Sequence, residues 1–489
     1  MNRAERWWLA ACCWLGAVAR FRGLFANSFH PDEALFAGWA RLIAVWRDPL
    51  LWTQAVDKPP LLFYLQALFY PLFGPVEWAA RMPSFIVSLL LIPLTAQAAR
   101  RLTGDKAAAI VTAVVMALAP LTIQFSATAF SDPLLTFWLM AALYTVIRPI
   151  TTSRHRSAAA VLPGVLFGLA LATKYQALLF LPLLMGMGWI FDRRRREGWG
   201  GLVGLAMVLA LLLLWQGLRP ASAGLVGLQW ANIGGLRPAR SWELWPRLLQ
   251  TVQVWRLSLD GPLAAAFVAV AIGVLVGIRR GRFRWPAAEI FVLLFVSGYV
   301  LLHWLWAVPI WDRYLLPIFP LAVILFGRGF SRLLLALYER RPHRYAYLVA
   351  LTLLTLILIP TALAARAGRF PIGGRPDADG GAAESALLLK DAPYGTVLYD
   401  HWYSWHWAYQ LFDSGVYVSW FPQADALLDD LTVFAGRGPQ RYIALPSSAE
   451  AAPLRRRLSA AGFDLEALDG QDKTATMTLY RIIAPETVR

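Results

Sequence analysis

The chain has 489 residues, 58% of them hydrophobic and only 16% charged, with a mean hydropathy of +0.51, which excludes an ordinary soluble domain and specifies a polytopic membrane protein. The formal net charge of +16 does not point to nucleic acid, because Lys and Arg fall in short clusters between apolar runs, as in the loops on one side of a membrane. The only cysteines, Cys12 and Cys13, are adjacent in the first apolar run, which excludes a disulfide framework or a cysteine metal site.

The first apolar run, 7 to 25, has no small-residue cleavage site after it and carries Arg20 and Arg22 near its far end. It reads as a first transmembrane helix rather than a signal peptide. Next comes "HPDEALFAGWARLIAVWRDPLLWTQAVDKPP" at 30 to 60, with Asp32, Glu33, Asp48, Asp57 and Lys58. Pro31 suits the first turn of a helix lying along the membrane surface, where two acids at the positive end also satisfy the helix dipole and so need no chemical role. Asp48, beside Arg47 and Pro49, reads as a turn residue. Asp57 and Lys58 precede Pro59 and Pro60, which hold the chain extended as it enters an apolar run at 61 to 74.

That run has about 14 residues, short of the roughly 20 a spanning helix needs. The later runs lie at 79 to 99, 107 to 125, 132 to 149, 158 to 173, 175 to 191, 200 to 218, 260 to 278, 287 to 308, 314 to 338 and 345 to 365. If 61 to 74 does not cross and the N-terminus is inside, the dense clusters share the cytoplasmic side: Arg100, Arg101 and Lys106, then Arg154 and Arg156, Arg193 to Arg196, Arg279 to Arg284, and Arg340 to Arg344. If it does cross, "DRRRRE" and "RRGRFR" face outward, against the positive-inside bias. The expectation is therefore a multi-pass protein of the plasma (inner) membrane with about 11 spanning helices. Its N-terminus is cytoplasmic, and the segments 26 to 78, 126 to 133, 219 to 259 and everything after 366 lie outside.

The loop 219 to 259 carries Trp230, Trp242, Trp245 and Trp255 with Arg237, Arg240, Arg247 and Arg256. An amphipathic interfacial helix is expected there, able also to act as a lid over a bound ligand. The fold class is mainly α: a membrane module over 1–366 and a small extracytoplasmic α/β domain over 367–489. In the tail, strands are predicted near 396–400, 415–420, 441–445 and 476–483, with helices near 382–391, 423–435 and 449–461. The tail holds no GxGxxG, P-loop or GxSxG. His401 and His406 in "YDHWYSWHWAYQ" read as a packed seam between that domain and the membrane surface rather than as a metal pair.

Several ionisable residues interrupt the apolar pattern at the outer ends of spans. Asp132 in "FSDPLLTFW" precedes Pro133 and is either a cap or a functional acid. Lys174 in "ATKYQ" and the run Asp312-Arg313-Tyr314 break two further apolar stretches. Arg81 in "AARMP" is either a snorkelling arginine or a phosphate contact. A charge at membrane depth costs about 2.5 to 3.5 kcal/mol at a helix centre and less near the ends, so several at one face indicate a shared polar cavity. There a carboxylate can take a proton from an acceptor hydroxyl while Lys and Arg hold the phosphate of a departing lipid carrier.

The ordered set "HPDEA", "DKPPLLFYLQALF", "ARMPSFIVSLLLIPLTAQAARRLTG", "SATAFSDPLLTFW" and "DRYLLPIFPLAVIL" resembles the GT-C superfamily of integral-membrane glycosyltransferases over residues 1 to about 340. Within it the set is similar to the protein O-mannosyltransferase and aminoarabinose (lipid A) transferase branch. The resemblance implies an inverting glycosyltransferase that moves a sugar from a polyprenyl-phosphate carrier to an acceptor hydroxyl or phosphate on the outer face. It places Asp32 at the first-loop acid, as general base or acceptor-positioning group, with Glu33 as its neighbour and Asp132 at the second acidic position. Asp57 and Lys58 match the acidic-Lys pair whose Lys contacts the carrier phosphate, and Arg313 and Tyr314 match a late Arg-Tyr lining the same pocket. The acids here are "DE" and a lone "SDP", a departure from an Asp-x-Asp motif. A divalent ion (Mg or Mn) is therefore not required, although Asp32 and Asp132 are its candidate ligands if one is used.

Two other readings stay open. A lipid-linked sugar transporter or flippase would spread its charges through the depth of several helices. A polymer ligase using a diphosphate carrier would favour an Asp-x-Asp and a larger outer domain. The acceptor, whether lipid A, a protein hydroxyl, a cell-wall glycan or another glycolipid, has no sequence signature here.

Overall fold

The computed structural model describes residues 3–148, 156–191, 195–220, 227–228, 237–337, 343–434, 436, 438–470 and 475–485. The chain divides into two compact units, Met1–Ala26 with Ala40–Arg375, and Asn27–Trp39 with Pro376–Arg489. Trp230, Arg154, Arg193, Arg194, Arg340 and Arg341, used above to argue topology and the outer loop, lie outside the described residues.

The first unit is helical: α1 (Arg3–Ala26), the end of α2 (Pro31–Ala44), α3 (Leu61–Ala67), α4 (Tyr70–Phe73), α5 (Glu77–Thr103), α6 (Lys106–Leu118), α7 (Pro120–Ser126), α8 (Asp132–Ile147), α9 (Arg156–Thr173), α10 (Leu181–Ile190), α11 (Arg195–Gly217), α12 (Ser241–Arg279), α13 (Ala287–Leu305), α14 (Phe319–Leu337) and α15 (His343–Arg366). Among the described residues, seven of these are long and apolar enough to cross a membrane. The pair α6 and α7, bent by 53°, makes an eighth if taken as one span. The other three expected spans, Asp132–Ile147, Ala159–Thr173 and Tyr175–Ile190, are apolar but shorter. The run after Lys-Pro-Pro folds as two short helices, α3 and α4, broken before Tyr70. In the stretch read as an outer loop, α12 runs from Ser241 and breaks at Asp260, whose φ of 60° lies outside the helical region.

The bend between α6 and α7 has a visible cause. Pro120 cannot donate the hydrogen bond that would continue α6. The freed carbonyls of Met116 and Ala117 are instead taken, at 2.8 Å each, by the buried guanidinium of Arg20 on α1. A charged donor thus closes a helix end inside apolar surroundings, where an unpaired carbonyl would be costly.

Helices α9 and α11 run parallel and touch backbone to backbone. A methyl on Gly164 would lie 1.7 Å from the carbonyl oxygen of Gly201, one on Gly204 2.2 Å from that of Val161, and one on Gly168 2.6 Å from Val208. Small residues four apart are what permit this approach between membrane helices.

The second unit is built on a five-stranded sheet of order β2-β1-β3-β5-β4, from β1 (Val397–Asp400), β2 (Tyr417–Trp420), β3 (Arg441–Pro446), β4 (Asp464–Ala467) and β5 (Met477–Ile483). The first three strands are parallel and the last two pair antiparallel, so this is the small α/β fold expected. Alternate side chains point to opposite faces. Tyr399, Ile443 and Leu445 pack with Leu427, Leu431 and Leu458 on one side. Leu398, Ala444 and Leu479 pack with Ala382, Leu389 and Trp407 on the other.

Candidate active site

In the first unit, Asp132 is the first residue of α8, followed by Pro133 as the sequence suggested, and is almost fully buried. The turn before it is held from two sides. Gln66 of α3 donates to Ala129 O at 3.2 Å, and Ser84 of α5 donates to Phe130 O at 3.2 Å. The short helix after Lys-Pro-Pro therefore supports the turn that presents Asp132.

Asp132 Oδ1 accepts from Lys174 Nζ at 2.6 Å. Lys174 stands in the break between α9 and the 3₁₀ turn Tyr175–Phe180, with its ammonium 4.6 Å above the ring of Tyr314. Lys58 and Arg313 act on Lys174 with like charge, and Asp57 acts on the neighbouring Tyr175, so all of these groups share one local field. Asp57 is buried and pairs with Lys58, whose side chain is 26% exposed. The Arg313 guanidinium lies 4.8 Å from the Phe130 ring and 5.7 Å from that of Trp311. Cations facing aromatic rings keep their charge while lying close to apolar surface. Buried Tyr299 fixes the backbone here, donating to Tyr314 O at 2.9 Å, and Gln176 donates to its hydroxyl.

Asp312, next to Arg313 in sequence, is committed to a different segment. Its carboxylate accepts from Arg313 N at 2.8 Å and Gly373 N at 2.9 Å. Burial pushes this carboxyl above the ordinary aspartate value, and the two N–H donors and the Arg313 charge only partly oppose that. The segment it grips is also held by Gln124, whose amide donates to Ile372 O at 2.7 Å and to Phe370 O at 3.1 Å. Gly373 takes φ of +60° at this clamp, where a side chain would press on the Gln124 backbone.

The loop carrying Lys58 is anchored by residues no sequence signal singled out. Arg219, just beyond α11 and 5% exposed, donates to Leu51 O and Gln54 O at 2.9 Å each and stacks 4.5 Å from the Trp215 ring. Trp215 Nε1 donates to Tyr64 OH at 2.8 Å, and Tyr64 donates to Pro49 O at 2.7 Å. Asp48 is a turn residue as expected, accepting from Trp52 N at 2.6 Å and from Thr53 N at 2.8 Å. Leu51 has φ of 54° and Trp46 φ of 57°, a conformation that costs a non-glycine residue roughly 1 to 2 kcal/mol. The grip of Arg219 offsets that strain where the loop turns.

Arg81 is drawn elsewhere in this unit. It is 1% exposed, pairs with Glu77 at 2.8 Å one turn earlier and donates to Leu24 O. Around Asp132 the close partners are cations, a poor donor set for a divalent ion. Among the described residues no three His, Cys, Asp or Glu side chains gather as metal ligands.

Asp32 and Glu33 belong to the second unit, at the start of α2. Glu33, fully buried, reaches back to accept from His30 N at 2.9 Å, half of a capping box, while Asp32 is half-buried beside it. The segment is tied into its own unit by His406 Nε2 on Phe29 O at 2.9 Å and by Ser28 Oγ donating to Pro376 O at 3.0 Å. His406 Nδ1 is buried without a hydrogen-bond partner, and burial holds the imidazole below its ordinary pKa. His406 is thus packed inside this unit, while His401 is exposed. Buried Asp400 organises the segment, accepting from Tyr403 N at 2.9 Å, Ser404 Oγ at 2.6 Å and Trp407 Nε1 at 3.1 Å, and His401 Nδ1 bonds to Phe421 O at 2.8 Å.

Residues 57–215 match the family model of dolichyl-phosphate-mannose-protein mannosyltransferases. A crystal structure of ArnT from Cupriavidus metallidurans in the apo state superposes with a TM-score of 0.67 over 98% of both chains, at 17% identity. The chain has the GT-C fold. A second structure of that protein, bound to undecaprenyl phosphate, gives a TM-score of 0.61 at 16% identity over 97% of this chain and 98% of that one. An undecaprenyl phosphate-alpha-4-amino-4-deoxy-L-arabinose arabinosyl transferase from Erwinia tasmaniensis is 26% identical over 323 residues, 62% of this chain and 55% of that one. The counterpart from Edwardsiella ictaluri is 25% identical over 191 residues, 38% of this chain and 35% of that one. The matched stretch thus spans between about a third and about half of the length of these relatives. Of the GT-C residues expected from sequence, Asp57, Lys58, Asp132, Lys174, Arg313 and Tyr314 come together within the first unit.

Proposed function

We propose that the chain is an inverting glycosyltransferase that moves a sugar from a polyprenyl-phosphate carrier to an acceptor hydroxyl or phosphate on the outer face of the plasma (inner) membrane. The N-terminus is then cytoplasmic and the tail domain extracytoplasmic. One observation carries this reading: Lys174 pairs with the Asp132 carboxylate while Lys58 and Arg313 bear on it with like charge, and Lys174 and Arg313 face aromatic rings, a grouping read here as one pocket. Such a pocket suits a phosphate on an apolar tail, since cations held in low dielectric stabilise an anion without the cost of reorganising water.

In the proposed step the acceptor oxygen attacks the anomeric carbon from the face opposite the carrier. The bond from that carbon to the phosphate oxygen breaks, and the polyprenyl phosphate leaves with the electron pair. Asp32 takes the acceptor proton, and Glu33 holds the start of its helix through the His30 amide. Lys58 carries the phosphate charge, its side chain being more open than that of Lys174. Lys174, oriented by Asp132, and Arg313 with Tyr314 line the pocket. Asp57 orients Lys58, and Arg81, turned to Glu77, braces the start of α5. No step is routed through a metal ion, because the carboxylates of the pocket already face cations.

The test uses the purified protein with a panel of synthetic polyprenyl-phosphate sugars. Asp32→Asn should lower transfer by about 10² to 10⁴ while carrier affinity and thermal melting stay at wild-type values. Full turnover in that variant would remove Asp32 from the mechanism.

A further inference from the structure

At the other end of α8, a second charged cavity has no part in the proposed reaction. Tyr144 stands 12 positions after Asp132 on the same helix, about 18 Å along it at 1.5 Å per residue. Together with Gln97, Arg100, Arg101, Gly104 and Lys106, Tyr144 lines a cavity of about 430 Å³. The cavity is thus formed by the end of α5, the turn into α6 and the end of α8. Tyr144 OH lies 3.4 Å from Gln97 Oε1. Its cations are three, and the carboxylate that answers them is Glu5, paired with Arg100 and, at 3.1 Å, with Lys106. Arg101 is exposed and in no ion pair among the described residues, and the Lys106 side chain is 62% exposed. Asp105, next in sequence, is already committed: Oδ2 accepts from Arg328 at 2.8 Å and Oδ1 caps α6. The cavity therefore keeps an excess of positive charge.

Lys106 also borders a second, more apolar cavity of about 990 Å³, walled in part by Trp8, Ile110, Leu334, Leu335, Leu348 and Leu351. A basic mouth beside an apolar hollow at the end of spanning helices matches an amphiphile with one anionic phosphate. We propose that the Arg100, Arg101 and Lys106 cavity binds a phosphate group, carried by an anionic membrane lipid or free in solution. The neighbouring hollow would accept the acyl chains of the lipid. Basic pockets between membrane helices bind anionic headgroups through the same charges that bias loop topology. The site is independent of the proposed transfer reaction, since none of its residues lies in the Asp132 pocket.

The experiment compares wild type, Arg101→Gln with Lys106→Gln, and a control losing the same charge at the exposed pair Arg279 and Arg280. Each is placed in phosphatidylcholine nanodiscs, in discs with added phosphatidylglycerol, and in phosphatidylcholine discs with inorganic phosphate. Retained lipids are counted by native mass spectrometry, and melting temperature is measured in each case. Phosphatidylglycerol should be retained and raise the melting temperature of the wild type and the control. Its affinity should fall about thirtyfold in the Arg101 and Lys106 variant, since each cation near a headgroup is worth about a factor of five. A rise with inorganic phosphate alone, lost in the same variant, identifies free phosphate as the source. Equal retention by wild type and variant, or an equal loss in the control, overturns the proposal.

Discussion

The two ends of the membrane unit use the same residue types to opposite effect. Near Asp105, Arg328 bridges two carboxylates, donating to Asp105 at 2.8 Å and to fully buried Glu289 at 3.1 Å, and Arg332 approaches Glu289 at 3.5 Å. This network joins the turn before α6 to α13 and α14, with carboxylates and guanidiniums paired to one another. Around Asp132 the cations instead face rings, with Lys174 over Tyr314 and Arg313 over Phe130, and Lys58 stays partly open. A network of this kind fixes helices, whereas Lys58, paired with Asp57 yet 26% exposed, keeps a side that a ligand can reach. Residue type alone does not separate the two.

Breaking the closed end should have the larger effect on the fold. Glu289→Ala leaves two guanidiniums facing a buried void, and the expected loss is about 3 to 5 kcal/mol of stability, seen as early melting in detergent. A loss below about 1 kcal/mol would mean that water reaches the network. At the open end, Lys58→Ala should lower melting less than Glu289→Ala does, since Lys58 is 26% exposed, and weaken binding of the polyprenyl phosphate by about 1.5 to 3 kcal/mol, roughly 10- to 150-fold. An unchanged affinity would take the phosphate away from Lys58. The smallest effect belongs to Asp312, which separates the two ends by pH. Its carboxyl titrates above the ordinary 3.8, so the folded chain takes up this proton at higher pH than the unfolded chain. Between those two values its contribution to stability grows as pH falls. Asp312→Asn should erase that growth, so the melting advantage of wild type over the variant widens on acidification through this window, and a narrowing would contradict it.

Much of the fold was legible because charge interrupts an apolar pattern cleanly. Lys174, Arg313 and Tyr314 stood out for breaking hydrophobic runs, and the shortness of 61 to 74 foretold α3 and α4. In the tail, four strands were marked by β-branched and aromatic residues. The edge strand β4, "DLEA", was hidden by its polarity, because one partner strand and exposed faces ask little of its side chains. Helix Ser404–Gln410 was hidden by its length, seven residues of which three are Trp or Tyr, with its start held by Asp400 through Tyr403 N and Ser404 Oγ. The supporting residues of the site were illegible for a different reason. Arg219 acts on carbonyls 165 and 168 positions earlier in the chain, and Gln124 on carbonyls 246 to 250 positions later. Backbone acceptors carry no sequence identity, so nothing in the letters pairs them. The grouping of residues 27–39 with the tail likewise rests on contacts such as His406 with Phe29 that no periodicity encodes.

The glycine contact between α9 and α11 bears on how this protein can vary. Lys174 follows the last residue of one helix and Arg219 stands two residues past the end of the other, so the pair sets how the pocket lysine sits relative to the clamp on the Lys58 loop. With carbonyl oxygens where a methyl would go, Gly164 and Gly204 have no neutral substitutions: even alanine must separate two backbones. Outward-facing leucines on the same helices can be exchanged freely for other apolar residues. Sequence drift in this part of the chain is therefore expected to be lopsided, rapid toward lipid and arrested along a single line of missing side chains.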